Sequence, residues 1–577
     1  MESAQPAEPR APPHDRSGAE LEISKNVPQD YTTMNGAKAF DEKHGSKEEV
    51  SNPPSAPSSS SNSVQRTIIY FEKNDPTNPY NWSTLKKSYC LLVPVSTVMN
   101  STISSSLTAG ITPSFSNYFH ITEQAELVLP TSIFLVGYIV GPLLFGPLSE
   151  SYGRRVVMFV AFALFTVFTL ACAVAPTYAS YIVFRLLAGI FASCPIAVLG
   201  GVCADIYADA VSRGRAMALF MAGTTFGPVL GPIIGGYLDP VGWRWAFWVA
   251  LILAGVTTFV LAFIPETYGP LILKWKAQKL RKETGDPNIL APLELEEKSM
   301  MHIFTVVLTR PIRMICFEAI VLFSCLYLAL VYAIFYIFLQ SYPIIYINTY
   351  GFTMGEEGLT FLPIAIGACF ACGLYLLYDG FLLRAQKQNK PWAHREEYRR
   401  LPLASIAGPF LVVAIFWVGW SARPDVHWIV PVLAGLPFGF GYLLIFMALL
   451  NYVVDAYEIF AASAMAASST SRSMFGAVLP FATRPMYDKL GVAWACSVLG
   501  FLSLAMCVIP FVFISYGEQI RARSQFCQQL KRRKAEQEAE EQERYRVHDA
   551  RQAEAGMRGI QRVKSSDAEI DTPELAV

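Results

Sequence analysis

Three charged side chains fall inside stretches of this chain that are otherwise apolar: Arg185 in Tyr181-Ile-Val-Phe-Arg-Leu-Leu-Ala-Gly189, Glu318 in Ile315-Cys-Phe-Glu-Ala-Ile, and Arg472 in Ser469-Thr-Ser-Arg-Ser-Met474. A charge in the middle of a membrane helix costs about 2.5 to 3.5 kcal/mol on insertion scales, so such residues are read first as functional. A guanidinium stays charged and offers a fixed fork of donors, whereas a carboxyl is tuned by its surroundings. A nearby arginine lowers its pKa and apolar burial raises it, so moving Glu318 between two such environments would bind and release a proton. Glu318 and Arg472 are therefore a candidate pair for binding and releasing a proton, and Arg185 is the third charge to be explained. Glu318 and Arg472 as a static structural ion pair is the alternative.

A second pattern is steric. Gly223, Gly227, Gly231 and Gly235 recur every four residues, with Pro228, Pro232 and Gly236 interleaved. That spacing puts the four glycines on one helical face. The face lets another membrane helix approach bare backbone. The prolines remove backbone donors, which a helix tolerates in a membrane more readily than in water.

A third pattern is a charged turn, Gly146-Pro-Leu-Ser-Glu150-Ser-Tyr-Gly153-Arg154-Arg155. A carboxylate ending one helix, a turn glycine and two arginines opening the next form a latch whose closure depends on how the helices are placed. Aromatic and polar groups complete the set of candidates. Asn100 belongs to a serine- and threonine-rich helix, and Tyr327, Tyr332, Tyr336 and Gln340 share a later one. Aromatic faces bind cations and flat apolar molecules, so these five are candidates to line a ligand cavity.

The elements that must hold these groups are membrane helices. The 577 residues are 53% hydrophobic and 16% charged, against roughly 25% charged in soluble proteins, with mean hydropathy +0.34. Windows of about 20 apolar residues, enough to cross a bilayer, recur twelve times. Six lie between Ser88 and Ile264 and six between Ile315 and Tyr516. The division expected is a polar tail at 1–66, a six-helix bundle at 67–264, a charged connector at 265–311, a second bundle at 312–516 and a charged tail at 517–577. The first tail cannot bury a core. Basic residues crowd one set of loops, including Arg154, Arg155, Arg213, Arg215, Lys274 to Lys282 and Arg384 to Arg400; the alternate set holds Arg244, Arg423, Arg484 and Lys489. By the positive-inside rule both termini and the connector face the cytoplasm.

Net charge is zero, which leaves no electrostatic footprint for nucleic acid. The pair Cys369 and Cys372 has metal-like spacing, but it lies in an apolar helix without a second pair or a nearby His, so no metal is expected. Nor is a cofactor. No phosphate-binding Gly-x-x-x-x-Gly-Lys-Ser/Thr loop and no HExxH or GxSxG motif occurs, which argues against an ATPase or a hydrolase.

These motifs together resemble the major facilitator superfamily. Its loop between spans two and three reads G-x-L-a-D-r-x-G-r-r, with Glu150 here in place of aspartate and Ser151 in place of arginine. The glycine stretch is similar to the superfamily's antiporter motif, and Arg185 occupies the place of its span-four arginine, which the resemblance associates with proton coupling. Asp75-Pro-Thr-Asn-Pro-Tyr-Asn-Trp82, Pro265-Glu-Thr-Tyr268 and Asn451-Tyr-Val-Val-Asp-Ala-Tyr457 resemble the fungal twelve-span drug:proton antiporters, especially the polyamine and multidrug branch. The resemblance implies an all-α fold of two six-helix bundles and a monomer in the lipid bilayer. It implies proton-driven export of a small organic cargo by alternating access, at the plasma membrane or else an internal one. Uptake or uniport of a nutrient or organic acid is the alternative.

The orientation makes a direct prediction about the sequons at Asn81 and Asn100, one cytoplasmic and one within a span. Neither is glycosylated. Peptide N-glycosidase leaves the protein's electrophoretic mobility unchanged, and a faster-running product would place residue 81 on the outer side.

Overall fold

The computed structural model describes residues 67–535 apart from 73, 296–299, 458–460, 525, 530, 531, 533 and 534. The tail at 1–66 and the charged run from 536 onward lie outside the described residues.

The apolar windows are helices. Spans one to six are Thr84–Ser106, Gln124–Tyr152, Arg154–Ala173, Tyr178–Ile206, Ala210–Leu238 and Trp243–Leu261. Span seven runs as Met300–Phe317 and Ala319–Tyr342; spans eight, nine and ten include Leu362–Lys387, Glu396–Ser421 and Gly435–Tyr457. The final apolar stretch, Ala462–Arg523, is one 62-residue run by length and composition. Gly491, at φ 70° and ψ 167°, divides it. Span eleven begins with Ala461–Val478 and ends before that glycine; span twelve follows it and continues through Val508–Arg523. Eleven apolar helical stretches among the described residues thus make twelve crossings.

Local chemistry sets several ends. Asp209 caps span five through the Ser212 N–H at 2.9 Å. Thr177 and Ser180 form a reciprocal cap at span four, and Thr353 and Glu356 do the same before span eight, satisfying donors that have no intrahelical partner. In span five Pro228 and Pro232 do not interrupt the helix.

Within the first half, span one packs on span five, two on four and three on six. Within the second, seven packs on eleven, and ten on eight and nine. The most extensive contacts between the halves are span two with eleven and span five with eight; span five also meets span ten. An even number of crossings puts residue 67, the connector and the end of span twelve on one face, the proximal face. The opposite face is distal.

The connector is more ordered than its charge suggests. An amphipathic helix, Gly269–Thr284, ends at left-handed Gly285, and span seven's first helix starts at Met300, inside the region expected to be loop. Thr67–Ile68 pairs in parallel with Ile289–Leu290, and Ile69 and Phe71 pack against Leu273, Ala277 and Ala291. Lys276 Nζ donates to Asp75 Oδ2 at 2.9 Å. The segment before span one is thereby strapped to the connector between the halves.

Lys276, with help from Thr77, holds the Asp75 carboxyl at about 2, below its usual 3.8. A lowered carboxyl stabilises the fold above its unfolded value and loses that contribution as pH falls through the folded one. The strap is accordingly insensitive to pH between 5 and 8 and weakens from about pH 4 toward 2. A partly exposed ion pair contributes about 0–1 kcal/mol, so Lys276→Met raises amide exchange in residues 67–78 by up to about fivefold. Unchanged protection there would show that the apolar contacts alone hold the strap.

Candidate functional site

The glycine face of span five lies directly on span one. A Cβ on Gly223 would stand 3.1 Å from Val95 Cγ1; on Gly231 it would stand 2.9 Å from the Ile103 carbonyl, and on Gly235 2.7 Å from the Leu107 carbonyl. At Gly227 it would strike the Thr102 hydroxyl. Backbone cannot move aside as a flexible side chain does, so glycine is required here for close approach. Gly236 points another way. A Cβ there would strike the Met354 carbonyl, at the start of span eight in the opposite half. Gly358 and Gly110 meet the same region of span five, each with a Cβ position less than 3 Å from the Pro232 carbonyl. One helix therefore carries a seam to its own half and, at its distal end, a contact to the other half.

On the proximal face the charged turn is built differently from the latch expected. Arg154 Nε pairs with Asp205 Oδ2, at the end of span four, at 3.1 Å, and its Nη1 donates to Ser149 Oγ at 2.6 Å. Arg155 donates to the Ala262 carbonyl at 2.8 Å. Glu150 accepts from neither arginine among the described residues. Glu266, in Pro265-Glu-Thr-Tyr268, is the carboxylate at this helix start. It accepts from the backbone N–H of Arg154, Arg155, Thr267 and Tyr268 at 2.9 to 3.1 Å. Four donors and the positive end of span three hold it. Gly153, at φ 96°, leaves the room, since a Cβ there would meet Glu266. Gly146 has open space around its Cβ position.

The second half repeats the arrangement. Arg400, opening span nine, pairs with Asp455 at the end of span ten at 3.4 Å and with Tyr375 Oη at 2.5 Å. Asp379, about two turns before the end of span eight's helix, reaches Arg215 of span five across the halves at 3.7 Å. Gly214 lies under Arg400 and Tyr375, with its Cβ position 3.3 Å from the guanidinium.

The three intramembrane charges are far from equivalent. Arg185 is buried in the first half, donating to the carbonyls of Ser104 at 3.0 Å and Pro130 at 3.3 Å and lying over the Phe134 ring at 4.4 Å. Arg472 is buried in the second half, with Ser469 Oγ at 3.5 Å and the rings of Tyr332 and Phe446 at 5.8 and 5.7 Å. Glu318 is paired with neither. It interrupts span seven near the proximal face, at φ −111° and ψ 108°, and accepts from Tyr457 Oη at 2.9 Å and the Phe526 N–H at 3.4 Å. It ties the proximal ends of spans seven, ten and twelve, so the alternative of a Glu318–Arg472 ion pair is not formed.

The candidate cavity residues divide as well. Tyr336 Oη meets Ser105 Oγ of span one at 2.8 Å, joining the halves, and Tyr332 Oη donates to Tyr336 at 3.3 Å. Tyr327, five residues earlier, lies about 140° away around the helix and turns toward Cys507 Sγ at 3.7 Å. Asn100 bonds Thr257 of span six at 2.7 Å. Gln340 has no hydrogen bond among the described residues. Arg185, Arg472, Tyr332 and Tyr336 are thus the central set, and no group of three or more His, Cys, Asp or Glu suited to a metal occurs among the described residues.

The model of the Major Facilitator Superfamily matches residues 95–480. The chain belongs to that superfamily. It is 38% identical over 464 residues to "Major facilitator superfamily multidrug transporter mdrA" of Aspergillus fumigatus, covering 80% of this chain and 75% of that protein. It is 36% identical over 457 residues to "Polyamine transporter 3" of Saccharomyces cerevisiae, covering 79% and 72%. Among solved structures, the proton:xylose symporter XylE bound to 6-bromo-6-deoxy-D-glucose superposes with TM-score 0.56 at 16% identity, over 75% of this chain and 97% of that one. That likeness shows the fold alone. The protein is a multi-pass, all-α membrane transporter and not an enzyme.

Asp205, Glu266, Asp379, Arg400 and Asp455 escape a reading based on charge inside apolar windows, because all lie at or just beyond the ends of those windows. Their signal is the repetition of a carboxylate at the end of spans four and ten opposite arginines opening spans three and nine. Charge-assisted hydrogen bonds contribute about 1.5–3 kcal/mol each, and several converge on Glu266. Glu266→Ala therefore lowers stability in detergent by about 2–4 kcal/mol, whereas Glu150→Ala changes it by less than about 0.5 kcal/mol. Equal losses in thermal unfolding would return the anchoring role to Glu150.

Proposed function

We propose that the protein is a secondary active exporter that exchanges a small organic compound for protons by alternating access. The observation that carries this reading is the span-five seam: a glycine face bare against span one and, at its distal end, one glycine bare against span eight of the other half. A helix seated so closely on both halves transmits any change in their angle. The relatives named multidrug transporter and polyamine transporter support a small organic cargo. Loop charge supports a cytoplasmic proximal face and cytoplasmic termini, and the plasma membrane is the proposed site of a monomeric pump.

Cargo is proposed to lie between the halves beside Tyr332 and Tyr336, with Asn100, Tyr327 and Gln340 as outlying contributors. Arg185 is the proposed coupling group. A permanently charged guanidinium beside the Ser104 carbonyl biases protonatable groups or bound water in its surroundings throughout the cycle, and a buried lysine, which deprotonates, would not. Arg472 is its counterpart in the second half, and Glu318 is the third position to test. The turn formed by Gly146, Glu150, Gly153, Arg154 and Arg155 is proposed to favour one arrangement of the halves.

Proteoliposomes provide the test, with rhodamine 6G and spermidine as separate probes. An imposed pH gradient drives wild-type accumulation of at least one probe. Arg185→Ala and Arg185→Lys abolish the dependence on the gradient but keep passive exchange. Wild-type gradient dependence in Arg185→Ala would make Arg185 structural. Probe flux that ignores the gradient in the wild type would refute proton exchange.

A further inference from the structure

Span eight begins with a short helix, Met354–Leu359, that packs on the distal end of span five. Its Gly355 faces the Tyr237 ring with a Cβ position 3.1 Å away, and its Gly358 lies against the Pro232 carbonyl at 2.8 Å by the same measure. Between these glycines is Glu357. It is 2% exposed, and no hydrogen bond or ion pair reaches its carboxyl among the described residues. Its neighbour Glu356, by contrast, is exposed and engaged by Thr353.

The groups facing Glu357 are uncharged. From span seven come the phenols of Tyr342 and Tyr346, within its electrostatic reach, with the Cys496 thiol of span twelve behind them. From span five comes the ring of Tyr237, against Gly355. Among the described residues no Lys, Arg or His bears on it. Phe361, one turn further along, fixes the junction by lying 4.5 Å from the Tyr342 ring. The Tyr346 hydroxyl is itself buried without a hydrogen-bond partner.

An ionised carboxylate shut into such a site loses its water and gains no counter-charge, which costs several kcal/mol. A protonated carboxyl loses far less, and a phenol oxygen is available in the same cluster. We propose that Glu357 is a proton-operated lock on the distal gate: closing span five against span eight takes up one proton from the distal solution, and opening returns it. The carboxylate becomes a carboxylic acid on closing, with no other bond made or broken. Acid on the distal side then favours the closed gate. This deepens the proton-exchange reading by naming a group through which distal acidity sets the gate, and it rests on that reading for its role in transport.

The lock is tested without flux, so that its failure and the failure of the exporter reading are distinguishable. Spin labels at Asn117→Cys and Asn348→Cys, exposed distal positions in opposite halves, report the gate distance in purified full-length protein, with the exposed Cys316 and Cys369 replaced by serine. The wild type shifts from the long to the short distance as pH falls from 9 to 5, the ratio of populations changing by up to tenfold per pH unit for one proton. Glu357→Gln, which mimics the protonated form, holds the short distance at every pH, and Glu357→Asp restores the titration with a moved midpoint. A wild-type pH response retained in Glu357→Gln overturns the proposal. So does a wild-type distance distribution that does not change between pH 5 and 9, which decides the matter even if the glutamine variant does not fold.

Discussion

Backbone-to-backbone contact along span five is the constraint on which the rest of this molecule depends. Lipid offers apolar side chains no advantage in packing against protein, so close van der Waals contact must hold membrane helices together. Gly227 and Gly231 allow it by bringing span five against Thr102 and Ile103 of span one. The polar side chains of span one then have nowhere to go but inward. Thr102 bonds the Val98 carbonyl and Ser105 meets Tyr336 of the other half. Ser104, by its carbonyl, holds Arg185. A tight seam thereby places a permanent cation in the middle of the first half.

Outside the membrane core, charges serve as fasteners. The turn before span three is held by Glu266 and Asp205, and its counterpart before span nine by Asp455 and Tyr375. Each half is pinned at its proximal face by the same logic, an arginine opening one helix and a carboxylate ending the next. The pair Arg215–Asp379 crosses between the halves, and it is partly open to water, where ion pairs are weak and can part at little cost. The strap through Asp75 and Lys276 spans no such boundary; it fixes the entry of span one to the connector.

The twelve crossings and the glycine face were legible in the sequence because both depend on local periodicity. The apolar windows match the helices closely, and even the division of the last 62-residue stretch follows from a single glycine at 491. What could not be read was which charge meets which. Glu150 and Arg154 are neighbours in sequence, yet Arg154 finds Asp205, 51 residues away, because span three packs against span four. Tyr327 shares a helix with Tyr332 and Tyr336, but the helical period sends it to span twelve. Glu357 went unseen for a related reason: it precedes the window of continuous apolar residues, and only the packing of span eight on span five buries it.

The account's central claim is that span five makes two kinds of contact, a permanent one to span one and a separable one to span eight. The most direct test is Gly236→Ala, which adds one methyl group where the two halves meet at Met354 and leaves the span-one seam untouched. Accessibility of a cysteine at Thr360, buried beside that contact, to a membrane-impermeant maleimide, measured from the distal side in intact membranes, reads the result. The account predicts normal folding and abundance with faster labelling than in the otherwise identical protein, because the distal contact no longer closes. Unchanged labelling with unchanged transport would mean that the halves do not meet at Gly236 during the cycle, and would contradict it.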